Sequence, residues 1–296
     1  MSVPAAFLSV LVIWSTTPLA VKWSTEGSGY LFGVTGRMAL GTLFCLLLML
    51  ILRTPWPWHK RARMAYIMAA AGIYGAMLCV YWGARYIPSG LIAVLFGFTP
   101  LMTAVFAAIW LNERSLTTGR IVGILCALGG LVLVFLQDTL LDRAFYIGAM
   151  VVLLAVCIHA LSGVWTKRYT HDLPALAVTT GGLSLSLPLY LLTWWLLDGH
   201  WPTSIPLRTQ ATIVYLGIVG SAIGFVLYFY MLKHAEASRV ALIPLITPVL
   251  ALIVGQSFNG EIVPAQVWYG TFLILGGLIV HHWGDRWLAQ RATRRY

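Results

Sequence analysis

The sequence predicts an all-α membrane protein with ten transmembrane helices, arranged as two inverted repeats of five helices. Three observations lead to this fold class. The chain is too apolar for a water-soluble domain, it divides into ten apolar segments of helical length, and part of its first half recurs in its second half. We place the repeats at residues 1–138 and 139–283, followed by a basic cytoplasmic tail at 284–296.

The amino-acid composition indicates that much of the protein's surface faces lipid and not water. Of the 296 residues, 60% are apolar and 9% are charged, whereas charged residues make up about 25% of an average soluble domain. Mean hydropathy is +0.86. Because a soluble fold of this length could not bury that much apolar surface, we expect a large part of it to face lipid.

Ten segments have the roughly 20 apolar residues that a helix needs to cross the hydrocarbon core. They lie at 4–23, 30–52, 64–84, 88–111, 118–136, 144–166, 174–197, 209–232, 239–258 and 264–283. A short link, Arg85–Pro88, joins the third to the fourth. Pro88 favours a break there, since proline fits the first turn of a helix and disrupts a helix interior.

The fourth and fifth spans recur as the ninth and tenth. The second copy of the Thr-Pro pair lies 148 residues after the first, and the matching pairs are Pro100 and Pro248, Glu113 and Glu261, and Gly129-Gly130 and Gly276-Gly277. Because five is an odd number, the second unit starts on the opposite side of the membrane and is inverted. Inverted repeats are typical of proteins that open a central site to each side in turn.

The net charge of +10 is distributed unevenly between the two sides. Basic residues are concentrated in alternate connections, including 53–63, 167–172 and 284–296, whereas the opposite connections carry Lys22, Arg85, Arg143 and Arg208. Cytoplasmic connections are enriched in Lys and Arg, so both termini are predicted to be cytoplasmic. The charge therefore reflects orientation, and we expect no nucleic-acid partner.

Equivalent faces of the first and sixth spans carry polar and aromatic residues. Trp14 and Thr17 correspond to His159 and Ser162, 145 residues later. A polar face is unfavourable in lipid unless it meets another helix or a water-filled cavity. We therefore place these four residues in a candidate substrate cavity, with packing of His159 against a neighbouring helix as the alternative.

The third, fourth and eighth spans contain further candidates. Tyr81, Phe96 and Tyr228 could line a cavity suited to flat or apolar ligands, and core packing is the alternative for each. Small residues occupy matching positions of the third and eighth spans, as at Gly72 and Gly220. Their spacing predicts close packing of helices.

The repeated Thr-Pro pairs add backbone chemistry to the candidate cavity. Thr99 and Thr247 precede Pro100 and Pro248, and each proline removes a backbone hydrogen bond and frees a carbonyl about one turn earlier. The two prolines are candidate hinges, and both threonines are candidate cavity residues. The alternative is a static kink in which the threonine hydroxyl satisfies the carbonyl.

The nine Asp and Glu residues fall in connections or at span ends, with none in the middle of a span. Glu113 and Glu261 are predicted to cap amides at the next helix start. Ion-coupled carriers commonly use a buried carboxylate, so facilitated diffusion or exchange is favoured, with His159 as the titratable alternative. Without a phosphate-binding, metal-binding or nucleophile motif, we expect no catalysis, metal or cofactor.

The order and doubling of these motifs resemble the EamA-type branch of the drug/metabolite transporter superfamily. The shared features are the five-helix unit, each Thr-Pro pair, the glutamate after it and each Gly-Gly pair. Further matches are Trp14-Ser15, Arg37 and Ala84-Arg85-Tyr86. The resemblance covers nearly the whole chain, and it implies a ten-helix transporter with cytoplasmic termini, many of whose relatives export amino acids or other small metabolites.

We therefore expect a bacterial inner-membrane exporter of amino acids, aromatic or neutral ones in particular, or of similar small metabolites. Alternating access would carry out the transport. A carrier of another metabolite class is the first alternative, and a membrane-embedded transferase for lipid or polyprenyl substrates is the second. The expected partners are a small-molecule substrate and the lipid bilayer, with the chain a monomer or a weak dimer.

Overall fold

The computed structural model describes residues 3–110, 118–135, 143–170, 173–224, 226–227 and 243–293. Within these ranges the regular secondary structure is helical throughout. The elements are α1 (Val3–Trp23), α2 (Tyr30–Ile51), α3 (Lys60–Gly83), α4 (Ser89–Phe96), α5 (Thr99–Trp110), α6 (Thr118–Phe135), α7 (Arg143–Tyr169), α8 (Ala175–Leu197), α9 (Leu207–Tyr215), a π-helix (Leu216–Ile223), α10 (Ile243–Asn259) and α11 (Ala265–Thr293).

The helices have the length and surface that a bilayer requires. Six stretches of the described chain are long and apolar enough to cross a membrane: α1, α2, α3, the pair α4 and α5, α7 and α8. Shorter apolar helices cover 121–135, 207–223 and 243–259. Large apolar side chains point outward, among them Leu50 at 76% exposure and Leu196 at 63%. Lipid would cover such a surface, and the predicted all-α membrane class is confirmed.

The fourth predicted span differs from expectation because it is two helices. The chain turns at Gly97 and Phe98, where the Gly97 amide donates to the Ala93 and Val94 carbonyls. Pro100 is therefore the second residue of α5. A first-turn proline needs no intrahelical donor, so the break precedes Pro100 and does not arise from a kink within a continuous helix.

The eighth predicted span also changes geometry along its length. It begins as α9 and continues as the π-helix through Ile223. Runs of π-helix are rare in proteins and often occur at functional sites. Gly217 in this segment packs closely on α2, because a Cβ at Gly217 would lie 2.7 Å from Leu40 Cβ and 3.1 Å from the Arg37 carbonyl oxygen.

Helices of the N-terminal half pack mainly against helices of the C-terminal half. α3 lies against α7 and α8, α2 lies against α8 and the π-helix, α1 lies against α10, and α6 lies against α11. Close packing predicted at Gly72 is confirmed, since a Cβ there would overlap the Ser162 side chain. The two halves of the sequence therefore form one intertwined helical core.

Polar contacts tie the helices together at one end of the bundle. Trp23 at the end of α1 donates from Nε1 to Asn259 Oδ1 at 2.9 Å, and Thr209 at the start of α9 donates to the Trp23 and Glu26 carbonyls. At the other end, Tyr66 and its neighbours pack against Val178, Tyr169 and Leu173.

Candidate functional site

Trp14 and Thr17 lie on the face of α1 that meets the π-helix and the residue after it. The indole Nε1 of Trp14 is 3.2 Å from the position that a Cβ on Gly224 would take. Thr17 Oγ1 donates to the Ile13 carbonyl at 2.7 Å, and it lies 3.7 Å from the Cβ position of Gly220. The structure thus brings both α1 candidates against the glycine-rich face predicted from the eighth span.

The α7 candidates contact two different helices. The His159 ring lies 5.9 Å from the Phe96 ring at the end of α4, centroid to centroid. Ser162 Oγ donates to the Met68 carbonyl of α3 at 2.7 Å. His159 and Phe96, both candidates from the sequence, are therefore neighbours, whereas the Ser162 hydroxyl is used in a helix–helix contact in this conformation.

Tyr81 is completely buried in α3. Its hydroxyl accepts a hydrogen bond from Ser24 Oγ at 3.4 Å, which joins α3 to the segment after α1. Tyr74 and Tyr190 form a second aromatic pair at 5.0 Å, and Tyr190 donates to the Ile73 and Tyr74 carbonyls. Tyr228, the remaining aromatic candidate, lies outside the described residues.

The second Thr-Pro pair lies near the turn that precedes the first. Pro248 Cγ lies 3.7 Å from the Cβ position of Gly97, at the turn that leads into Thr99 and Pro100. Thr247 Oγ1 donates to the Ile243 carbonyl at 3.0 Å. Pro248 has no amide hydrogen to donate to the carbonyl one turn earlier, so the helix is locally weakened opposite the break between α4 and α5.

Glu261 caps a helix start, but it is not the start of the next helix. Its carboxylate accepts from the Ser89 amide at 2.8 Å, the Ser89 hydroxyl at 3.0 Å and the Gly90 amide at 3.4 Å. Lys22 Nζ is 3.6 Å away. The predicted capping partner, the start of α11, was wrong, because the tertiary fold brings the first turn of α4 to this carboxylate instead. Glu113 lies outside the described residues.

Arg37 is a functional candidate that the sequence-based cavity set leaves out. It lies in α2 with 5% of its surface exposed. Its Nε donates to Ser221 Oγ of the π-helix at 3.1 Å, and its Nη2 is 3.9 Å from the Cβ position of Gly220. Its position as a basic residue inside a predicted span already marks it as a source of charge for the cavity.

The described residues offer binding groups and no metal cluster. No group of three or more His, Cys, Asp or Glu within the described ranges could hold a metal ion. Cys45, Cys79, Cys126 and Cys157 are free thiols. The arrangement of aromatic rings, hydroxyls and one buried guanidinium is suited to holding a small molecule by contact, charge and hydrogen bonds.

Comparison with known proteins identifies the chain's relatives. The model of the EamA-like transporter family matches residues 2–136 and again 146–281. An uncharacterized transporter of Archaeoglobus fulgidus is 25% identical over 91% of this chain and 95% of its own length. A protein of Streptantibioticus cattleyicolor named as a probable terminal-alkyne amino-acid exporter is 26% identical over 93% of this chain and 91% of its own.

One further relative and one solved structure match this chain over a similar share of its length. An uncharacterized inner membrane transporter of Escherichia coli, YedA, is 24% identical over 93% of this chain and 89% of its own. A crystal structure of a protein 20% identical has a TM-score of 0.66 over 97% of this chain and 98% of that chain, which shows a shared fold. The relatives are named as transporters and not as enzymes. Since the family model covers almost the whole chain in two matches, this multi-helix membrane protein belongs to the EamA-like transporter family.

Proposed function

We propose that the protein is an inner-membrane exporter of amino acids or similar small metabolites, and that it works by alternating access between two inverted five-helix repeats at 1–138 and 139–283. The observation that carries this proposal is the pattern of helix contacts, in which most of the extensive helix pairs have an equivalent pair when the two halves are exchanged. Alternating access in repeat-built carriers rests on such exchange.

Exchange of the halves relates α1 to α7, α2 to α8, α3 to α9 with the π-helix, α4 with α5 to α10, and α6 to α11. Three contacts join a helix to its own counterpart: α6 with α11, α2 with α8, and α4 with α10. Some of the other contacts occur as equivalent pairs, whereas those of α1 with α4 and of α2 with α3 have no comparable counterpart among the described residues. The contact of α3 with α8 corresponds to that of α2 with α9 and the π-helix, and the contact of α7 with α4 and α5 corresponds to that of α1 with α10.

The candidate cavity and one relative support the proposed substrate class. We propose that the substrate contacts side chains from both halves, with His159 and Phe96, 5.9 Å apart, on one side and Trp14 and Thr17 on the other. The full candidate set is Trp14, Thr17, Tyr81, Phe96, Thr99, His159, Ser162, Tyr228 and Thr247. The relative named as a terminal-alkyne amino-acid exporter supports an amino acid with a neutral side chain.

Pro100 and Pro248 are proposed as the hinges of the transition. One follows the break between α4 and α5, and the other lies inside α10, where it removes a backbone hydrogen bond. A change in the angle at these two points would move the halves of the fourth span relative to the ninth. The contact of Pro248 with the Gly97 turn would transmit that change between the repeats.

We propose facilitated diffusion or exchange as the energetic mode. A carrier concentrates its substrate only when a coupled ion binds its two states differently, and the sequence has no Asp or Glu in the middle of a span. His159 is the one central group in the candidate set that could exchange protons near neutral pH.

Flux in proteoliposomes tests the proposal. Vesicles containing the full chain are loaded with unlabelled L-phenylalanine, L-leucine or control metabolites, and entry of the labelled compound is followed with and without sodium and proton gradients. We expect saturable exchange of at least one neutral amino acid, insensitive to sodium and weakly sensitive to pH gradient. Absence of amino-acid flux, with flux of another metabolite, would contradict the substrate class.

The variant His159→Ala distinguishes facilitated diffusion or exchange from histidine-coupled antiport. We expect this variant to reduce flux more than it reduces folded yield, while His200→Ala, in the exposed connection after α8, serves as the matched control and retains flux. Proton-driven accumulation that is lost in His159→Ala would replace facilitated diffusion with histidine-coupled antiport. Accumulation that survives the substitution would require a different coupling group.

A further inference from the structure

Arg37 is a buried cation whose charge the described structure does not balance. Its Nε is bonded to the neutral Ser221 hydroxyl, while Nη1 is buried and has no hydrogen-bond partner in the described residues. A guanidinium stays protonated in proteins, so burial cannot neutralise it as it would a lysine or histidine. A buried charge without a partner is strongly unfavourable, and it is retained in membrane proteins where it serves a function.

The carboxylates of the described chain are engaged elsewhere. Glu26 pairs with Arg208, Glu261 pairs with Lys22, and Asp198 lies 3.6 Å from His200. The remaining acidic residues of the sequence lie in connections or at span ends. The described residues therefore provide no carboxylate for Arg37, which is consistent with a counter-ion supplied by another molecule.

The packing beside Arg37 is less tight than at the equivalent glycine of the other half. The Cβ position of Gly220 is 3.5 Å from Leu216 Cδ2, 3.7 Å from Thr17 Oγ1 and 3.9 Å from Arg37 Nη2, so a methyl-sized group would fit there at ordinary contact distances. The equivalent place in the other half is closed, since a Cβ on Gly72 would overlap the Ser162 side chain. The packing thus leaves methyl-sized room beside the charged group and none where the charge is missing.

We infer that Arg37 binds a carboxylate group of the transported molecule in the space bounded by Thr17 and Gly220. Arg–carboxylate pairs form two parallel charge-assisted hydrogen bonds, which suits a guanidinium whose Nη1 has no partner among the described residues. The other Lys and Arg residues of the sequence lie in connections or near span ends, so the site supplies one positive charge. It matches a monocarboxylate, such as an α-amino acid, better than a doubly charged phosphate.

This inference rests on the proposed function for the molecule that delivers the carboxylate, but it is tested by binding. The full chain in detergent is titrated with L-phenylalanine, L-phenylalaninamide and 3-phenylpropionate, and the rise in melting temperature is recorded. The amide lacks the carboxylate and the propionate lacks the ammonium. We expect both carboxylates to raise the melting temperature and the amide to have at least about tenfold lower apparent affinity.

Two substitutions locate the site. Arg37→Gln should weaken carboxylate binding about 10- to 100-fold and remove the preference over the amide. Because this variant changes a buried charge, Gly220→Ala provides a second test: its methyl group fills the gap at ordinary contact distances and leaves the charge intact. It should weaken carboxylate binding about tenfold or more. Gly276→Ala, where a Cβ meets nothing within 4 Å, is the control and should bind normally.

The outcomes distinguish this inference from the proposed function. Equal binding of amide and amino acid, no binding of either carboxylate, or unchanged binding in folded Gly220→Ala would overturn the inference, even if amino-acid flux is observed. Carboxylate binding that depends on Arg37, with no flux in proteoliposomes, would support the site and contradict transport.

Discussion

Glu261 connects three parts of the fold through one carboxylate. It bonds the first turn of α4, lies 3.6 Å from Lys22 at the end of α1 and accepts from Asn259 Nδ2 at 3.0 Å. Its side chain is 7% exposed. The free amides at a helix start carry partial positive charge. They therefore interact more strongly with a nearly buried carboxylate than with one that is exposed to water.

Glu261→Gln should lower the stability of the detergent-solubilised protein by about 1 to 2 kcal/mol, because hydrogen bonds to a charged acceptor contribute about 1.5 to 3 kcal/mol and the amide keeps some of them. Thermal unfolding followed by circular dichroism measures the loss. Glu26→Gln is the matched control: this carboxylate pairs with Arg208 at an exposed position, where ion pairs contribute little. Equal losses in the two variants would contradict the role assigned to Glu261.

At the scale of elements, α6 and α11 approach closely through four glycines. A Cβ on Gly123 would lie 2.5 Å from the Gly277 carbonyl oxygen, and a Cβ on Gly130 would lie 2.6 Å from the Gly270 carbonyl oxygen. The glycines are seven residues apart on each helix, so they share one face. The second glycine of each Gly-Gly pair, at 130 and 277, is therefore the one that the interface requires.

Gly277→Ala should destabilise the protein by about 1 to 3 kcal/mol, the usual cost of overpacking, because the obstructing atoms are backbone atoms of α6. Gly276→Ala should be neutral or slightly stabilising, since its Cβ enters open space and alanine favours helix over glycine. Thermal unfolding of the two variants in the same detergent makes the comparison. A more harmful Gly276→Ala would mean that the face is assigned incorrectly.

At the scale of the whole molecule, the contacts at each end of the bundle agree with the alternation of connections predicted from charge. The end of α1, the link before α4, the start of α9 and the connection after α10 are all predicted outside, and they meet through Trp23, Asn259, Glu261 and Thr209. The connections before α3 and α8, predicted inside, meet at Tyr66 and Val178.

Cysteine labelling in intact cells tests the proposed orientation. Pro55→Cys, in the exposed basic connection before α3, should be protected from a membrane-impermeant maleimide, whereas Thr203→Cys, in the exposed connection before α9, should react. The parent chain, with its four free cysteines inside helices, sets the background. Labelling of residue 55 with protection of residue 203 would reverse the orientation.

The sequence by itself determined the lipid environment, the all-α class and the approximate positions of the six stretches long enough to cross a membrane, because these depend on local hydrophobicity over about 20 residues. It also singled out His159 and Phe96, which prove to be neighbours. It did not predict the break before Pro100, since a turn at Gly97 has no marker beyond a glycine that helices in membranes also tolerate.

Only the tertiary structure decided which side chains meet. Glu261 caps α4 and not α11, and Ser162 bonds α3. Arg37 lies beside methyl-sized room at Gly220, while the matching position at Gly72 is filled by Ser162. The physical reason is that the partner of a buried polar group is set by which helices pack together across long separations in sequence. Helical periodicity shows which face a residue occupies, but it carries no information about the helix that this face will contact.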